Sequence, residues 1–99
     1  VSPGECAFEL HCRVEGLDFK REVALVDGRK WRWDFVIKDL AIEIQGGIWT
    51  GGGHSRGAGQ EKDMRKLNAA VKAGFRVMQF STQMVESGEA IADVLEALK

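Results

Sequence analysis

No run of apolar residues in this chain is long enough to cross a membrane as a helix, and no basic-then-apolar segment opens it. The sequence therefore predicts a protein with no membrane partner, resident in the cytoplasm. Cysteine is scarce: Cys6 and Cys12 are the only two, six residues apart on differing faces of one expected helix. That spacing suggests neither a disulfide nor a zinc pattern and leaves buried, reduced thiols as the reading. An excess of one charge is also missing, since 14 Lys and Arg stand against 15 Asp and Glu for a formal net charge of −1. Such a balance does not exclude nucleic acid, because an acidic cluster and an acidic tail can mask a basic face. Disorder is excluded by a composition that is 44% hydrophobic and 29% charged. With 99 residues, the sequence predicts a single domain over 1–99.

What is present is organised around Trp31-Arg32-Trp33-Asp34-Phe35-Val36-Ile37 and, after a short turn, Leu40-Ala41-Ile42-Glu43-Ile44-Gln45. Both read as strands, each carrying one carboxylate in an apolar run. Side chains alternate in a strand, so Trp33, Phe35 and Ile37 are expected on one face and Asp34 on the other with Arg32 and Val36. Ala41, Glu43 and Gln45 share a face of the next strand. If the two strands pair through a turn at Lys38-Asp39, Asp34 and Glu43 lie close together. Neighbouring carboxylates repel and are costly to bury, so the pair calls for a proton, a basic partner or a divalent cation, Mg²⁺ being the usual answer. The plainer alternative is a solvated Asp34 and a Glu43 answered by a nearby Lys or Arg. An apolar, central-looking strand around Glu43 weighs against leaving that charge without a partner.

The single proline, Pro3, stands in the first turn of a helix expected to run to about Glu15, with Gly16 as its C-terminal cap. Glu5 shares a side with Phe8 and Cys12, and is either a surface acid favoured by the helix dipole or a residue facing the sheet, with Glu9 the decoy on the same helix. Residues 19–26 read as a strand, and Asp27-Gly28 as a hairpin turn into a strand over 29–37. From Gly46 to Gly59, seven of fourteen residues are glycine, while Trp49, His54 and Arg56 are side chains able to touch a ligand. The segment is either a linker or a binding loop, and linkers seldom carry such residues. A helix over 60–73 follows, with Met64, Leu67, Ala70 and Val71 as its apolar stripe and Gly74 at its end. A strand over 75–80, inserted in parallel beside the Glu43 strand, and one last helix capped by Ser81 or Thr82 complete the order α-β-β-β-α-β-α, a mixed four-stranded sheet flanked by helices. Arg29, Lys30 and Arg32 precede the first carboxylate, and Lys62, Arg65 and Lys66 follow the second, so the middle of the chain is basic around its acids.

Together these blocks resemble the PD-(D/E)XK nuclease superfamily, and within it the small phage and bacterial endonuclease domains related to the very short patch repair endonucleases. The resemblance rests on Trp31 to Phe35, Ile42 to Trp49, Gly52 to Gly57, Asp63 to Asn68 and Gly74 to Val77, in that order, and covers nearly the whole chain. It implies a restriction endonuclease-like α/β fold and Mg²⁺-dependent hydrolysis of DNA phosphodiester bonds, with Mn²⁺ as a substitute. By the same resemblance Asp34 and Glu43 bind the metal with the backbone carbonyl of Ile44, and Glu5 completes the site directly or through water. The signature most often has Lys where this chain has Gln45. Gln45 can orient a water but carries no charge, and Lys66, more than Lys62, is expected to supply it. The expected DNA contacts are Trp49, His54, Arg56, Lys62, Arg65 and Lys66. A catalytically silent DNA-binding module of the same fold is the alternative, and both a monomer and a homodimer fit the sequence.

Overall fold

The computed structural model describes residues 2–46 and 58–99. Its elements are α1 (Pro3–Val14), β1 (Lys20–Val23), β2 (Trp33–Ile37), β3 (Leu40–Gln45), α2 (Ala58–Lys72), β4 (Arg76–Ser81), α3 (Thr82–Glu86) and α4 (Glu89–Ala97). The strands form one mixed sheet in the order β1-β2-β3-β4. Its first two seams are antiparallel and the β3–β4 seam is parallel. The expected parallel insertion beside Glu43 is therefore what the chain adopts, with Glu43 opposite Gln79.

Local chemistry sets these boundaries. Ser2 caps α1 by accepting the Glu5 N–H, with Pro3 in the first turn. At the other end Leu17 N donates to Cys12 O and Gly16 N to Arg13 O, a Schellman ending that needs the positive φ (+70°) of Gly16. The same pair of bonds closes α2, from Phe75 N to Ala70 O and from Gly74 N to Val71 O, with Gly74 at φ +96°. One expected final helix is in fact two. Ser81 caps α3, and Gly88, at φ +89°, turns the chain before α4. The β1–β2 ladder is also shorter than expected. A turn does form at Asp27-Gly28, where Arg29 N donates to Val26 O, but strand pairing stops at Val23–Trp33.

The two faces of the sheet are unequal. On one side α1, α3 and α4 cover eleven buried residues, among them Phe8, Phe35, Ile37, Leu40, Ile42 and Phe80. Each large side chain so buried contributes about 1.5–3 kcal/mol, so this side carries most of the apolar stabilisation. Phe8 meets Phe35 edge-on, with ring centroids 4.8 Å apart. On the other side, among the described residues, α2 and the sheet bury Trp33, Val36, Ala41 and Ala70, with Val23, Leu25, Phe75 and Val77 partly buried against them. The stripe expected on α2 is its buried face only in part: Ala70 is buried and Leu67 half-buried, while Met64 and Val71 are more than half exposed. The helix rests on small Ala70 and on the stem of Lys66, which brings a charged side chain to the sheet. Of the two thiols, Cys12 is buried as expected and Cys6 is exposed. Among the described residues no helix is long and apolar enough to cross a membrane.

Candidate active site

Trp33 does not share a face with Phe35 and Ile37. It packs on the α2 side with Val36 and Ala41, together with its ladder partner Val23. Both strands thus change face between the Arg21–Phe35 and Val23–Trp33 pairs. Glu22, at φ +52°, lies at this switch on β1, and Asp34 lies at it on β2. The consequence is that Asp34 turns toward the N-terminus of α1. Among the described residues Glu5, Glu22 and Asp34 each place one carboxylate oxygen within 4.8 Å of the others. Glu5 therefore faces the sheet, as one of its two readings required.

Asp34 Oδ2 also accepts the Ile44 backbone N–H at 2.8 Å, which pins β2 to the end of β3 where the strand ladder has stopped. The carboxyl pKa of Asp34 is raised, chiefly by burial and further by Glu5 and Glu22, against the lowering pull of the Ile44 N–H and of Lys66. Glu43 projects to the α2 side, where its Oε1 lies 2.6 Å from Lys66 Nζ. Its pKa is also raised, again chiefly by burial. The Lys66 hydrogen bond opposes that shift, and the Asp34 and Asp63 charges add to it. Glu43 thus feels the Asp34 charge, while each acid has its own nearest partner, the Ile44 N–H for Asp34 and Lys66 for Glu43. Lys66 itself lies 4.6 Å from the centroid of the Trp33 ring, so its ammonium is held between a carboxylate and an aromatic face.

The side chain that sequence reasoning missed is Arg21. Its guanidinium donates to Glu5 Oε1 at 2.7 Å, to Glu9 and to the Asp34 carbonyl at 3.1 Å, and lies 4.3 Å from the Phe35 ring centroid. Glu9 is not a bystander, since it binds both Arg21 and Arg13. Glu22 was missed as well. The one available signal was that Arg21, two residues beyond the apolar Phe19, shares its side of the chain and must find acids on the α1 side.

A cleft of about 310 Å³ opens beside Glu43, lined by Trp33, Gln45, Asp63, Lys66 and Gln79. Gln45, the last residue of β3, is therefore beside Glu43 and Lys66. Lys62 and Arg65 are exposed on α2, and Arg65 pairs loosely with Glu61 at 3.4 Å. Trp49, His54 and Arg56 lie outside the described residues. The donors that Glu5, Glu22 and Asp34 bring together are carboxylate oxygens, the set preferred by hard divalent cations.

The fold is that of a known nuclease domain. The catalytic domain of the homing endonuclease I-Bth0305I superposes with a TM-score of 0.70 at 20% sequence identity, covering 97% of this chain and 92% of that one. No family model and no curated protein sequence matches the chain.

Proposed function

We propose that this chain is a Mg²⁺-dependent DNA endonuclease of the PD-(D/E)XK kind. One observation carries the reading: four elements bring Glu5, Asp34, Glu43 and Lys66 to one end of β3, on a fold shared with a homing endonuclease catalytic domain. Asp34, Glu43 and the Ile44 carbonyl would hold the cation, with Glu5 beside them and Glu22 as a further oxygen donor. When bound, the cation supplies Lewis-acid polarisation of the scissile phosphate and a water of lowered pKa.

The chain's own residues do the rest. Asp34 fixes the Glu43-Ile44 backbone through its bond to the Ile44 N–H, and Arg21 fixes Glu5. Lys66 is the cation nearest Glu43 and stands where the signature lysine's charge is needed, so it can pass from the carboxylate to a phosphate when substrate enters. Gln45 and Gln79, in the same cleft, offer amides that can orient water. A silent DNA-binding module is the second reading, favoured by Gln45 in the signature position and by a Glu43 already answered by Lys66. Incubating the protein with labelled duplex, single-stranded, mismatched and branched DNA in Mg²⁺, Mn²⁺ or EDTA separates the two. Cutting that needs metal supports the endonuclease, and binding without cutting of any substrate supports the module.

A further inference from the structure

A second cleft, of about 350 Å³, lies on the other flank of α2 from Glu43, between that helix and the loop that precedes β2. Val26, Trp31 and Ala69 give it an apolar floor. Arg29, Arg65, Asn68 and Lys72 stand around it, three cations and one amide with no carboxylate among the lining side chains. Positions 65, 68, 69 and 72 follow the i, i+3, i+4, i+7 spacing, so α2 presents them as one stripe about 10 Å long. Trp31 is half-buried, and the Arg29 guanidinium lies 4.8 Å from its ring centroid, so two flat surfaces meet at the mouth. Neither the fold nor the metal chemistry uses any of these side chains.

The geometry points to a nucleotide subsite that takes an unpaired nucleotide of a DNA strand, its base against Trp31 and its flanking phosphates against Arg29, Arg65 and Lys72. The chemistry is complementary part by part. A base is flat and apolar on its faces and polar at its edge, and it stacks on aromatic and guanidinium planes whatever its sequence. Asn68 offers a donor and an acceptor to that edge. Three cations on the rim match a chain that carries one negative charge per nucleotide. Paired bases are stacked on one another and cannot present a face to Trp31, so the subsite selects DNA that is single-stranded or locally open. The Glu61 partner of Arg65 is no obstacle, because that ion pair is solvent-exposed and weak. Position ties the cleft to the proposed centre: Arg65 is followed by Lys66, and Trp31 is two residues from Trp33, over which the Lys66 ammonium sits. A strand with one phosphate near Glu43 would reach the cleft by crossing α2, a helix about 10–12 Å across. The inference rests on DNA being the substrate and adds which form of DNA.

Binding is measured by fluorescence anisotropy in EDTA, where no strand is cut, with a labelled single strand and with its blunt duplex. Trp31→Ala is expected to weaken the single strand at least fivefold, the lower end for loss of one stacked base, and to leave the duplex within twofold. Trp31→Phe restores most of the loss. Because Trp31→Ala can disturb the loop, Arg65→Ala with Lys72→Ala on the exposed side of α2 gives an independent reading. That double variant is expected to flatten the salt dependence for the single strand by about 1.4, at roughly 0.7 per phosphate contact released. Equal losses for duplex and single strand overturn the nucleotide subsite. So does wild-type behaviour of all three variants while the wild type binds and cuts, and the endonuclease reading then stands alone. A wild type that binds neither probe removes both.

Discussion

Replacing Arg21 with Met would take one donor each from Glu5, Glu9 and the Asp34 carbonyl, leaving Glu5 with the Ser2 hydroxyl and Glu9 with Arg13. Losing charge-assisted bonds to part-buried carboxylates costs about 1–3 kcal/mol, so urea melts should show a loss of that size, and metal-dependent cutting should fall with it because, among the described residues, Glu5 is then held by the Ser2 hydroxyl alone. Asp34 and Glu43 make a prediction of opposite sign. Their pKa values are raised above the ordinary 3.8 and 4.5, so the folded chain holds these protons more tightly than the unfolded chain does. That contribution to stability is complete below the unfolded values and is lost as pH climbs through the folded ones. Asp34→Asn or Glu43→Gln should therefore raise the melting temperature of the metal-free protein at neutral pH but not at acid pH, and lower cutting by more than about 10²-fold. A variant that cuts at the wild-type rate would take its residue out of the site. Cys12 supplies a simpler check at this scale. Burial pushes its thiol up to about 11, so a thiol-reactive dye should titrate one cysteine of the native protein quickly, the exposed Cys6, and Cys12 only on unfolding. The acids of the site were legible as residues, because a carboxylate inside an apolar strand is conspicuous. Arg21 and Glu22 were not, because strand alternation gives no warning that Glu22 takes a left-handed backbone and turns both strands over.

Elements were legible where glycine marks a helix end and less so where packing decides. Gly16 and Gly74 announced the ends of α1 and α2. The depth of the sheet's two faces could not be read, since Met64 and Val71 have the right spacing for burial and stay exposed for want of a partner, while Lys66 is the residue drawn in. Gly4 shows how space overrides propensity. Alanine is favoured over glycine in a helix by about 1 kcal/mol, yet a Cβ at Gly4 would sit 2.8 Å from Thr82 Oγ1 and 3.0 Å from Ile44 Cγ2, where α1 meets the start of α3 and the end of β3. Overpacking of this kind costs about 1–3 kcal/mol, so Gly4→Ala should be net destabilising, and Thr82→Ala should recover part of the loss in the double variant. Lys38 gives the converse case. It adopts φ +53° in the turn between β2 and β3, a conformation that disfavours side chains by about 1 kcal/mol, and Lys38→Gly should stabilise by up to that amount in the same melts.

At the scale of the molecule the parallel seam matters most. β3 is flanked by β2 on one side and, after the α2 crossover, by β4 on the other, so the acid it carries is held from both sides. Lys66 reaches that acid only from α2, whose C-terminus is fixed where Arg76 starts β4. Two charge-assisted bonds at 2.8 Å join Arg76 to Asp39 in the β2–β3 turn. Of the elements that carry Glu5, Asp34, Glu43 and Lys66, β2 and β3 follow one another through a short turn, while α1 precedes them and α2 follows. A chain still emerging from the ribosome, with β3 made and α2 not yet formed, would hold Glu5, Glu22, Asp34 and Glu43 without the lysine that answers Glu43. If the chain is a nuclease, its acids are therefore made before its lysine, and the cutting site is complete only once α2 has docked on the sheet.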